Sequence, residues 1–153
     1  MSLVDENIED YIRILQAHDD PEVWETPPEF DWEAAQRRIL DFAGELQREF
    51  GVYRAVESVS FFQDSSCLGE IPLPPRYFNR PERAWDVIAV RISNWGNMAT
   101  VDDESALEPE LLERVKVLLQ ASGYLYIPPT VLAEPYTRVP WIETWWIRYF
   151  DYL

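Results

Sequence analysis

The chain closes on Trp141-Ile142-Glu143-Thr144-Trp145-Trp146-Ile147-Arg148-Tyr149-Phe150-Asp151-Tyr152-Leu153, and six of these thirteen residues are aromatic. Aromatic side chains carry large apolar areas, so a set this dense must pack on something. Either it completes the core or it forms a surface that waits for a partner; the expectation is core. Its polar residues, Glu143, Thr144, Arg148 and Asp151, do not alternate, which speaks against a strand. Thr144, Arg148 and Asp151 recur at spacings of four and three, which predicts a helix with those three on its wet face and Pro140 in its first turn. The β-propensity of aromatic residues is the counterargument.

The rest of the chain alternates between two periods. Ile8, Tyr11, Ile12 and Leu15 predict a short amphipathic helix over 5–17, followed by a Pro-flanked linker. Asp31 caps a longer helix over 32–50, whose stripe is Trp32, Ala35, Ile39, Phe42, Ala43, Leu46 and Phe50, with Gly51 closing it. Residues 53–62 switch to β chemistry. A long Pro-rich loop follows from 63 to 84, broken only by a short strand near 67–71. Trp85 to Ser93 is apolar on both faces, as a central strand is. Asn94-Trp95-Gly96-Asn97 makes a hairpin turn, and Met98 to Val101 returns. A helix over 107–121, a short strand over 124–127 and a further turn of helix over 130–134 complete the pattern. The reading is one α+β domain over 1–153, with helices layered on a mainly antiparallel sheet.

Charge limits what such a domain binds. There are 28 acids against 13 bases, a net charge of −15. Residues 1–31 hold ten acids and one base, Arg13, so the acidity gathers in an N-terminal segment, 1–30, of helix and linker. Phosphates need cations opposite them, so nucleic acid and anionic membrane are excluded as partners. A basic protein partner is favoured, because opposite charges steer encounter. No apolar run reaches the length of a membrane span, and Met1 to Asn7 is no signal peptide, so the expected compartment is the cytoplasm.

Catalytic chemistry is poorly supplied. His18, the one histidine, has Asp19 and Asp20 beside it only in a Pro-flanked loop, which orients nothing. Cys67, the one cysteine, lies near Asp64, which opposes thiolate formation. Asp102-Asp103-Glu104 reads as the loaded start of a helix and not as a metal loop. No catalytic residue, metal ligand or cofactor is therefore assigned. The candidate partner-binding residues are Asp19, Asp20, Glu22, Trp24 and Glu25 in the acidic segment, Arg76, Tyr77, Phe78 and Arg80 in the long loop, and Trp95 in the hairpin. Arginine beside aromatic residues is common at interfaces.

Arg91-Ile92-Ser93-Asn94-Trp95-Gly96-Asn97 with the closing Trp145-Trp146-Ile147-Arg148-Tyr149-Phe150-Asp151-Tyr152 resembles small acidic bacterial proteins of the immunity type, which neutralise toxins of polymorphic toxin systems. The two segments are a small part of the chain and no binding residue is carried over from them. The resemblance implies a single cytoplasmic domain, without enzymatic activity, that masks a basic partner such as a toxin. Two alternatives stand beside it: a ligand or substrate pocket under the 63–84 loop, and a structural homodimer that hides the aromatic tail.

Overall fold

The computed structural model describes residues 3–51, 54–63, 65–73 and 88–150, with side chains from Ile8 onward. In chain order it forms α1 (Leu3–His18), α2 (Trp32–Phe50), α3 (Ala55–Ser58), β1 (Ser60–Phe61), β2 (Cys67–Pro72), β3 (Ala89–Ser93), β4 (Met98–Val101) and a 3-10 turn at Glu104–Ala106. Then come α4 (Pro109–Ala121), β5 (Leu125–Tyr126), α5 (Pro129–Leu132) and α6 (Trp145–Phe150). The class is α+β, as the sequence implies. Five strands lie in the order β1-β2-β3-β4-β5, all pairs antiparallel except β4 with β5.

Strand register divides the apolar residues between two faces. Val90 stands opposite Val101, Ile92 opposite Ala99 and Arg91 opposite Thr100. Successive side chains point to opposite faces, so Val90, Ile92, Ala99 and Val101 share one. There they meet Ile39, Phe42 and Leu46 of α2 and Leu111, Val115 and Leu119 of α4 in the main core. Met98 belongs to a second core with Leu15 of α1, Leu132 of α5, and Trp145, Tyr149 and Phe150 of α6. The sheet is thus covered on both sides, and β3 is its central strand.

Local chemistry sets the element ends. The Asp31 carboxylate accepts the Ala34 N–H at 3.1 Å and starts α2. Gly51, at φ +76°, ends it with its N–H on the Gln47 carbonyl. The hairpin turn needs left-handed backbone at Gly96 (φ +60°) and Asn97 (φ +54°), residue types that tolerate it. Arg38 of α2 then staples the two layers of this side together. It donates to the carbonyls of Ser122 and Gly123, just past α4, and to the Asn97 side chain at 2.8 Å.

Two expectations change. The described part of 53–62 is strand only at Ser60–Phe61; Ala55–Ser58 is a helical turn. Ala55 is buried, the Val56 N–H donates to the Gln47 side chain, and the Ser58 hydroxyl donates to the Arg54 carbonyl at 2.8 Å. Those local bonds and the contact with α2 outweigh β-propensity. Within the long loop, the strand expected near 67–71 forms as Cys67–Pro72 and pairs with β3; residues 74–87, which include the start of the strand expected over 85–93, lie outside the described residues. The closing helix forms, but it begins at Trp145, and Arg148 is not on a wet face: its side chain is fully buried.

Candidate functional site

Arg148 organises the junction of the two chain ends. Burial of a guanidinium is tolerable only when its donors find acceptors. Here Nε donates to Asp19 Oδ1 at 2.7 Å, Nη1 to the Trp24 carbonyl at 3.2 Å, and Nη2 to the carbonyls of Asp20 and Val23 at 3.1 and 2.9 Å. Three rings surround the charge: Trp95 at 4.6 Å, Tyr149 at 4.8 Å and Trp24 at 5.3 Å. Cation–π contacts of this kind strengthen as water is excluded. Around them the Tyr136 hydroxyl donates to Asp19 Oδ2 at 2.9 Å, the Trp95 indole donates to the Trp24 carbonyl at 3.1 Å, and the Tyr149 hydroxyl donates to the Leu15 carbonyl at 2.6 Å. Burial, and then the bond to Asp19, push the Tyr136 hydroxyl up to about 12.

This cluster corrects part of the expected binding set. The Asp19 side chain has no exposure and is paired with Arg148 and with Arg138, whose Nε is 3.4 Å away. It is an internal counter-ion and not a charge offered to a partner. Trp95 is buried within the second core. Asp20 is half-buried, and its carboxylate accepts the Glu22 N–H at 3.0 Å. Trp24 is half-buried, while Glu22 and Glu25 are exposed. Arg76, Tyr77, Phe78 and Arg80 lie outside the described residues.

Trp141 departs from the core expected of the tail: it is 66% exposed. Its ring meets Trp24 edge-on at 5.7 Å. Ile142 beside it is buried, whereas Glu143 is exposed like Trp141. The available signal was position: Trp141 follows Pro140 in a turn, before the helical period begins. Among the described residues no ion pair reaches Glu22, Glu25 or Glu143, whereas Arg13, Arg48, Arg54 and Arg114 are taken by Glu9 and Asp10, Glu45, Glu57 and Glu49.

Glu25 also lines a groove of about 460 Å³, together with Trp32, Gln36, Phe61, Phe62 and Gln63. Trp32 opens α2 and, as its stripe predicts, packs partly buried against the main core, with Phe30 edge-on at 5.2 Å. A second open groove, about 550 Å³, contains Asp102, Asp103 and Glu104. Its carboxylates are already engaged. Asp102 takes Arg91 and the Ala89 N–H, Asp103 accepts from Ser105, and Glu104 takes the Tyr126 hydroxyl and Lys116. Burial and that bond to Glu104 push the Tyr126 hydroxyl far above its ordinary value.

Neither reactive residue type is among the described residues that line these grooves. Cys67 is buried in β2, its thiol donating toward the Ile92 and Gly69 carbonyls, and burial pushes it up to about 12. It stays protonated at neutral pH, where a nucleophile must be a thiolate. His18 is exposed at the end of α1, its ring so close to Gly96 that a Cβ there would meet it at 2.8 Å. Among the described residues no group of three or more His, Cys, Asp or Glu is arranged to hold a metal ion, and no helix is long and apolar enough to cross a membrane. Comparison with protein-family models, with curated proteins and with solved structures finds no match for the chain.

Proposed function

We propose that this chain is a cytoplasmic binding protein of the immunity type, without catalytic activity of its own, that masks a basic protein such as a toxin. One observation carries the reading: Trp141 is exposed and braced by Trp24, exposed Glu143 lies two residues along the chain from it, exposed Glu22 and Glu25 flank Trp24 in sequence, and no described cation pairs with these three carboxylates. An aromatic anchor inside a charged surround is what concentrates binding energy at interfaces. The exposed carboxylates supply the attraction that speeds encounter with a cationic surface.

The test starts from the gene next to this one. Its product is expressed in a bacterial host with and without the present chain. Wild-type chain restores growth; a variant combining Trp141→Ala with Glu22→Gln, Glu25→Gln and Glu143→Gln protects poorly while remaining folded. For the purified pair, the association rate falls steeply as salt rises, since screening acts beyond about 8–10 Å at physiological ionic strength. A neighbour that is harmless, or growth that the chain does not restore, overturns the proposal.

A further inference from the structure

The groove between α2 and β1 has a chemistry of its own. Its lining combines one carboxylate, Glu25, two primary amides, Gln36 and Gln63, and the rings of Trp32, Phe61 and Phe62. Among the described residues its single ionisable group is acidic, which repels an anion. Phe61 is 37% exposed on an edge strand whose two residues both face solvent, so the main core makes no use of that ring. The volume, about 460 Å³, lies within the range of sites that take small ligands or single side chains with their flanking backbone.

The molecule contains a worked example of what such a set holds. Arg148 is bound by a carboxylate, by carbonyl oxygens and by indole and phenol faces. The groove offers the same three kinds of partner on its surface: Glu25, the carbonyl ends of Gln36 and Gln63, and the rings of Trp32 and Phe61. We propose that it receives an arginine side chain, presented by the basic partner of the preceding section; the identity of that partner rests on the earlier reading, but the chemistry of the groove does not. Arginine is favoured over lysine because a planar guanidinium stacks on rings and forks to several acceptors, while an ammonium is a point charge.

The lining is held in place before any ligand arrives. The Glu25 carbonyl accepts from the Asn94 side chain at 3.0 Å, and the same amide nitrogen donates to the Ser65 carbonyl at 2.7 Å. Trp32 is the first residue of a capped helix, and Gln36 follows it by one turn on the same face. Preformed geometry of this kind lowers the ordering cost of binding.

The test is an NMR titration of the isotope-labelled full chain with N-acetyl-arginine-N-methylamide, beside its lysine counterpart. The arginine compound shifts the Trp32 indole and the Gln36 and Gln63 side-chain amides, and the lysine compound binds more weakly. Glu25→Gln lowers the affinity by about five-fold, the most that an exposed charge pair supplies. Phe61→Ala, on a two-residue edge strand, lowers it with little effect on folding, and Trp141→Ala leaves it unchanged. Absent shifts at those three groups, equal binding of lysine, or indifference to both Glu25→Gln and Phe61→Ala overturns the proposal. Arginine binding without any toxin partner would refute the immunity reading and leave the groove standing. Protection from a toxin that survives Glu25→Gln and Phe61→Ala, without arginine shifts, would do the reverse.

Discussion

Replacing Arg148 by methionine isolates the buried charge from the packing around it. Methionine fills a comparable volume against Trp24, Trp95 and Tyr149 but carries no donors. Removing one partner of a buried ion pair costs about 3–5 kcal/mol, because the other charge is left behind in low dielectric. Asp19 keeps Tyr136 and Arg138 on Oδ2, which places the pair's share at the lower end, about 3 kcal/mol. The Val23 carbonyl loses its guanidinium donor as well, worth about 1 kcal/mol. Trp24 and Asp20 lose less, since the Trp95 indole and the Val23 N–H still reach their carbonyls. The sum, about 4 kcal/mol, is a large part of a total of about 5–15 kcal/mol, and lowers Tm by roughly 8–16 °C for a chain of this length. Urea unfolding at neutral pH, followed by tryptophan fluorescence and circular dichroism, measures it. Adding Asp19→Leu to Arg148→Met should recover much of the loss, because the stranded carboxylate goes too. An Arg148→Met protein within about 1 kcal/mol of wild type, or a double variant no better than the single, would refute the account.

Two further outcomes follow from the buried thiol and phenols. Cys67 should react with a thiol reagent in the native protein only as fast as the fold opens and at once in urea; labelling within seconds under native conditions would contradict its burial. Tyr124 and Tyr136 are both pushed up to about 12, mainly by burial, so the folded state holds their protons more tightly than the unfolded chain does. The stability they contribute is whole below about pH 10, where unfolded tyrosine begins to ionise, and is lost as pH rises from there through 12. Urea midpoints at pH 9, 10.5 and 11.5 should fall in that order, and a flat series would refute it.

What the sequence made legible was periodicity. The stripe from Trp32 to Phe50 predicts α2 to the residue, because a capping Asp31, an apolar face and Gly51 agree with one another. The β3–β4 hairpin was equally plain, since Gly96 and Asn97 accept the left-handed turn. What periodicity cannot report is pairing across the chain. Arg148 falls on the polar stripe of the tail by spacing, and only the approach of residues 19–24, more than a hundred positions earlier, turns that stripe inward. Asp19 looked like one acid among ten for the same reason. Trp141 erred in the other direction: its aromatic character suggested core, and its place in a turn made it surface. For the candidate site, Glu25 and Trp24 were visible as an acidic residue beside an aromatic one, but Trp32, Gln36 and Phe61 come together only when α2 packs beside β1.

The buried arginine also bears on the proposed role. The stretch from Asp19 to Asp31 has no regular secondary structure, and on its own it would sample many conformations. Arg148 binds three of its carbonyls, Asp20, Val23 and Trp24, while Asn94 binds a fourth, Glu25. Those four bonds fix the backbone on which Glu22, Trp24 and Glu25 are displayed. A loop ordered in advance loses less entropy when a partner docks, and each residue whose backbone is so held saves about 1–2 kcal/mol. On the proposed reading, the tail would contribute to recognition without touching a partner through Arg148, by holding the acidic segment still. If this is its role, Arg148→Met combined with Asp19→Leu should keep the fold yet weaken capture of the basic partner mainly through faster dissociation, because the exposed charges that steer encounter remain. Unchanged dissociation in that double variant would mean that the segment is ordered by its other contacts and that the latch serves stability alone.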